Sequence, residues 1–218
     1  MKGGLRRFVA GAAPPSPSPD STEQVDRCEM CTEPIGEWHG HVVDVENRGL
    51  MCTCRPCALL FTQEGAARGR YKAVPERYRY AADVPLAEAT WDAIGIPVGM
   101  AFFFTNSAVG RTVAFYPSPA GATESLLSLE AWTDLLAAIP ELADLRSDVE
   151  ALLVHKAESG FECFAIPIDV CYQLVGLVRM HWKGFDGGEE AWAAIHKFFA
   201  GLRERSELVV PRDVSADG

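Results

Sequence analysis

Two Cys-x-x-Cys pairs, Cys28-Glu-Met-Cys31 and Cys54-Arg-Pro-Cys57, are separated by 22 residues. A short turn of this kind aims two sulfurs inward while its backbone N–H groups face them, and two such turns complete a tetrahedral metal shell. Four thiolates satisfy a zinc ion and leave no position for water. The expected chemistry is therefore structural rather than Lewis-acid catalysis. Iron or an iron–sulfur cluster is the alternative occupant of the same sulfurs, and a pair of redox dithiols is the metal-free alternative.

Three further candidate ligands, His39, His41 and Cys52, lie between the pairs. Cys52 precedes Cys54 by two residues, so on a strand both face the same way, and Cys52 could replace Cys54 or support it from behind. His41 could replace a thiolate to give a three-cysteine, one-histidine shell. The bland alternative for both histidines is an exposed loop.

The elements that must position these groups are legible nearby. Val42 to Val45 has strand character, Glu46-Asn-Arg-Gly49 is a turn, and Leu50 to Thr53 returns, which predicts a β-hairpin. Pro56 falls where a helix begins, followed by Ala58-Leu-Leu-Phe61. Knuckle, hairpin and a helix carrying the second ligand pair is the order of a treble-clef finger, and a helix N-terminus also favours thiolate charge. A segment of roughly 40 residues has too small a core to fold alone, and metal binding supplies the missing stability.

The whole chain has 218 residues, a net charge of −10 and 48% apolar residues, with 11 Phe, 5 Trp and 5 Tyr. That is enough apolar surface to offset ordering entropy, so one or two globular domains are expected. No stretch approaches the roughly 18 apolar residues of a membrane span. Lys2, Arg6 and Arg7 are followed by too short an apolar run for a signal peptide, which points to the cytoplasm and reduced thiols. Composition divides the chain into a disordered tail with its Pro-rich run (1–24), a zinc-finger-like metal domain (25–70), a basic linker (71–80), an α+β domain (81–205) and a polar tail (206–218).

The basic stretch, with Arg68, Arg70, Lys72, Arg77 and Arg79 interleaved with Tyr71, Tyr78 and Tyr80, could hold phosphates and stack bases. The net charge of −10 opposes nucleic acid as a partner, and a solvated linker explains the stretch as well.

Beyond residue 81 the pattern is α+β. Val98–Phe104 and Arg111–Tyr116 predict strands around an Asn106–Gly110 hairpin. The Tyr116–Ser125 segment predicts a strand-to-helix connector. Ser128 is the expected N-cap of a helix with Leu129, Trp132, Leu136 and Ile139 on one face, stopped by Pro140. Ser147-Asp-Val-Glu150 has the form of a capping box and predicts a short helix with Val149, Leu152 and Leu153 inward. Phe161–Ile168 predicts a strand. Asp169 then caps a helix with Cys171, Leu174, Val175, Val178 and Trp182 in a stripe, and a last helix presents Trp192, Ile195, Phe199 and Leu202. The spacing of Cys163, Cys171, His155 and His181 demands no second metal or nucleophilic site, and no phosphate loop, nucleophile elbow or dinucleotide fingerprint is present. No catalytic residue is assigned.

The strings CEMC, HGH and CTCRPCALLF, with AFYPSPAGATES and PIDVCYQLVGLVRMHWKG, resemble a bacterial family described only as a domain of unknown function, associated with the gene neighbourhoods of high-affinity nickel–iron hydrogenases. The resemblance spans about residues 25–205. It implies Cys28, Cys31, His39, His41, Cys52, Cys54 and Cys57 as the shared metal-like set, without saying which of them ligate. It also implies a protein partner, a hydrogenase subunit or maturation factor. The resulting expectation is an α+β protein in which a small treble-clef-like zinc finger precedes antiparallel strands and C-terminal helices. Its expected role is that of a zinc-binding accessory or interaction protein; the alternatives are an iron-binding redox protein and an enzyme acting through the C-terminal half.

Overall fold

The computed structural model describes residues 25–209 apart from 126–128 and 158. The expected Pro-rich tail, the Ser128 cap and most of the polar tail lie outside the described residues. Two antiparallel systems build the molecule. In the first, β1 (Gly40–Asp44) pairs with β2 (Gly49–Thr53), α1 (Arg55–Leu59) follows at once, and β3 (Tyr71–Ala73) lines up on the other edge of β1. The hairpin closes because Asp44 Oδ1 accepts the N–H groups of Glu46 and Asn47, an arrangement that a strand-end Asp offers at little cost. Together with the knuckle at Cys28–Cys31, this is the treble-clef-like order predicted above.

The second system is a seven-stranded sheet that begins at β4 (Arg79–Val84). After α2 (Glu88–Ile94) come β5 (Met100–Asn106), β6 (Arg111–Ser118) and β7 (Gly121–Ser125). α3 (Leu129–Ala137) leads to β8 (Glu150–Ala157), β9 (Gly160–Pro167), α4 (Ile168–His181), α5 (Gly188–Arg205) and β10 (Glu207–Leu208). Strand order is β10-β4-β9-β8-β5-β6-β7, all antiparallel except β10 on β4. Period-2 alternation sends Phe102, Leu153, Phe164 and Ile166 to one face, under Leu174 and Val178 of α4 and Ile195 and Phe199 of α5. Ala101, Phe103, Leu152 and Val154 go to the other face, under Trp91 and Ile94 of α2 and Leu135 of α3. With helices on both faces, the central strands are buried throughout.

Three local expectations are corrected. Residues 147–149 form a turn that leads into β8 at Glu150, rather than a helix. Glu150 is buried and takes two hydrogen bonds from Arg77 (2.7 and 2.6 Å), and Asp148 turns the chain with φ +73°. The capping-box form is thus overridden by tertiary pairing, and a strand buried on both faces shows no alternation to betray it. The Tyr116–Ser125 connector is instead the β6–β7 hairpin, with Ser118 opposite Gly121 and the Ser118 Oγ donating to the Gly121 carbonyl (2.9 Å). Asp169 lies inside the first turn of α4, whose N-cap is Pro167.

The expected linker supplies β3 and the start of β4, and its basic groups are engaged within the molecule. Lys72 donates to Asp148 (2.7 Å), Arg70 to Asp44 (3.0 Å), and Arg79 to the Glu141 and Asp144 carbonyls (2.9 and 2.8 Å). Arg70 on Asp44 closes the finger on itself, Lys72 of β3 ties it to the body, and Arg77 on Glu150 and Asp144 holds the joint between them.

Candidate metal centre

The knuckle is a tight turn in which the Thr32 N–H donates to the Cys28 carbonyl and the Cys28 N–H to Glu33, both at 2.8 Å, above the Arg27–Pro34 bridge. It is fastened to β2 in both directions. The Glu29 N–H donates to the Cys52 carbonyl (2.9 Å), and the Cys52 N–H donates to Glu29 Oε1 (2.7 Å). Directly after β2, Cys54 is the N-cap of α1 and Cys57 lies in its first turn, behind Pro56. One sulfur from each of Cys28, Cys31, Cys54 and Cys57 therefore falls within 4.8 Å of every other, and those of Cys31 and Cys54 are 3.6 Å apart. A tetrahedron with metal–sulfur bonds of about 2.3 Å has edges of about 3.8 Å, so one ion fits the cluster.

Electrostatics support the same use. Burial pushes the Cys28 thiol up, but the N–H groups of Cys54, Cys31 and Met30 outweigh it and bring the group down to about 6. Cys57 is pushed up to about 12, first by the Cys54 side chain and then by that of Cys31. Without a cation the cluster accommodates one thiolate readily and resists the next. A divalent ion removes that resistance.

His39, His41 and Cys52 do not complete this shell. They form a second cluster, in which one ligand atom from each again lies within 4.8 Å of the others. His41 and Cys52 are direct partners across β1 and β2, so the pleat sends both to one side, and His39, directly ahead of β1, joins them there. Gly40 between the histidines is required: a Cβ there would stand 2.8 Å from that of Ala58 on α1. His41 Nδ1 lies 2.9 Å from Asp169 Oδ2, and His39 Nδ1 lies 2.8 Å from the Gly36 carbonyl. Asp169, expected as a helix cap, is thus the partner of His41. No local signal announces that pairing, because 127 residues lie between the two.

The remaining thiols and histidines do not converge. Cys163 and Cys171 are buried, and burial raises both thiols well above their ordinary range. His155 stacks on Phe199 with ring centres 3.8 Å apart and lies 3.2 Å from Glu162. His181 pairs with Glu190 at the molecular surface. Glu162 also takes Arg203 through two hydrogen bonds of 2.8 Å and the Tyr80 hydroxyl at 2.9 Å. Among the described residues no helix is long and apolar enough to cross a membrane.

No curated protein and no solved structure matches the chain. A family model does match, over residues 27–206, which takes in both clusters and six of the seven strands of the larger sheet, all but β10. The chain accordingly belongs to the family of unknown function DUF5947.

Proposed function

We propose that this chain is a zinc-binding accessory protein that acts on a protein partner in the maturation or assembly of nickel–iron hydrogenases. The observation that carries the metal reading is the convergence of four cysteine sulfurs within 4.8 Å at a knuckle and a helix N-terminus. A donor set of four thiolates suits zinc and closes its shell, so the ion holds the finger together and performs no chemistry. On this reading residues 25–70 are the metal domain, 71–80 the joint and 81–205 the body. Seven free thiols suit a reducing compartment such as the cytoplasm. The hydrogenase link is supported by the gene neighbourhoods of the family that the cysteine and histidine strings resemble. Trp38, Leu59 and Leu60, exposed on the finger, offer apolar contacts to a protein.

Elemental analysis of the freshly purified full chain is expected to find zinc, in a colourless protein. Cys28→Ser and Cys57→Ser should each release one equivalent and expose the amides of residues 26–62 to hydrogen exchange while those of β8 and β9 stay protected. Iron with visible absorption would replace zinc by the redox reading. Full metal retention in both variants would overturn the centre. A host lacking the chain should accumulate unassembled hydrogenase subunits; normal hydrogenase assembly there would overturn the partner.

A further inference from the structure

We propose that His39, His41 and Cys52 form a second metal site, separate from the four-cysteine centre, that takes a divalent first-row transition ion of the zinc class and keeps one coordination position open.

Three observations converge. The donors form a set that shares no member with the four cysteines; strand register gathers His41 and Cys52, and His39 stands directly ahead of β1 beside them. Both imidazoles are held in the tautomer a metal needs. Nδ1 of His41 meets a carboxylate oxygen and Nδ1 of His39 meets a backbone carbonyl; each Nδ1 therefore carries the proton and donates, leaving a lone pair on Nε2. Finally, His39 Nε2 is buried and has no hydrogen-bond partner, an uncommon state for a polar atom and one that an ion would relieve.

The arrangement differs from the four-cysteine centre in what it can do. Two neutral imidazoles and one thiolate give a bound divalent ion a single positive charge and only three protein ligands, the pattern of sites that keep a place for water or an exchangeable ligand. The histidines border an open cleft of about 680 Å³, also lined by Glu76, Tyr78, Gln173 and Arg205. An incoming ligand therefore has room, with hydrogen-bond donors and acceptors at hand. Asp169 is a positioning residue: it fixes the His41 ring from α4 and so couples the site to the body of the protein.

This proposal does not depend on the identity of the ion in the four-cysteine centre. The test uses the full chain, stripped of metal, loaded with a single equivalent of zinc, which the four thiolates take first, and then titrated with cobalt(II) chloride. Two ions per chain are expected, the second giving a thiolate-to-cobalt charge-transfer band of one-sulfur intensity and visible d–d bands. His39→Ala, directly ahead of β1, should remove that band and lower the stoichiometry from two to one with the circular dichroism unchanged; Cys52→Ala should do the same. Asp169→Asn should keep two ions but weaken cobalt binding on the order of 10–100-fold, as loss of a carboxylate behind a ligating histidine does. One ion per wild-type chain, or a cobalt band that survives in folded His39→Ala and Cys52→Ala, would overturn the proposal.

Discussion

Gly40 shows how one residue can serve two sites. It spaces His39 and His41 so that both face Cys52, and its missing side chain lets Ala58 of α1 approach β1. The four-cysteine centre hangs on that approach, because Cys54 and Cys57 belong to α1 and its cap. Gly40→Ala is expected to force the helix away and cost about 1–3 kcal/mol, as overpacking of a tight contact does. Zinc retention against a competing chelator should fall with it. A wild-type urea midpoint together with wild-type zinc retention would show that α1 has slack at this contact. The cysteines themselves were evident from spacing, since a Cys-x-x-Cys turn is a local object. The separation of Cys52 from Cys54 was not, because it depends on which way the chain turns as β2 ends and α1 begins.

At the level of elements, the β1–β2 hairpin is closed by a carboxylate. The Arg70 guanidinium, 3.0 Å away, together with the N–H groups of Asn47 holds the Asp44 carboxyl at about 2, below its ordinary 3.8. Its folded value is depressed, so the stabilisation is fully present above pH 3.8 and is lost as the pH falls through about 2. Asp44→Asn should flatten the dependence of unfolding free energy on pH across that window, measured by urea titration. An unchanged slope would mean that other carboxylates carry it. The hairpin was legible because Asp, Asn and Gly cluster between two apolar runs. β8 was not: its apolar run, Ala151 to Val154, is buried on both faces and carries neither helical nor strand period, so the preceding Ser-x-x-Glu string misdirects.

Across the whole molecule, the finger and the sheet meet through charge as well as apolar contact. Val43 of β1 joins the core beneath α4, and Lys72, Arg77 and Arg79 reach Asp148, Glu150 and the Asp144 carbonyl. The basic, tyrosine-rich stretch is therefore engaged internally by an acidic body. Glu150→Ala should leave the half-buried Arg77 with only Asp144 to face. The expected cost is about 3 kcal/mol, the low end for breaking a buried pair because Arg77 keeps some solvent. Thermal unfolding measures it, and a loss below about 1 kcal/mol would place the pair among surface bridges. Hydrogen exchange in this variant should rise first along β3 and the start of β4.

What the residues alone determined was the chemistry that depends on short spacing: two cysteine pairs, the hairpin between them, the helix at Pro56, the apolar β-rich runs of β5 and β9, and the helical stripes of α4 and α5. Tertiary structure decided everything that joins distant segments: that β8 is a strand, that 116–125 is a hairpin, that Asp169 faces His41, and that seven candidate ligands divide into four and three. The physical reason is one of range. Turn and periodicity preferences act over a few residues, whereas the register between β1 and β2 and the packing of α4 against them are fixed by burial of the whole core, which no local string encodes.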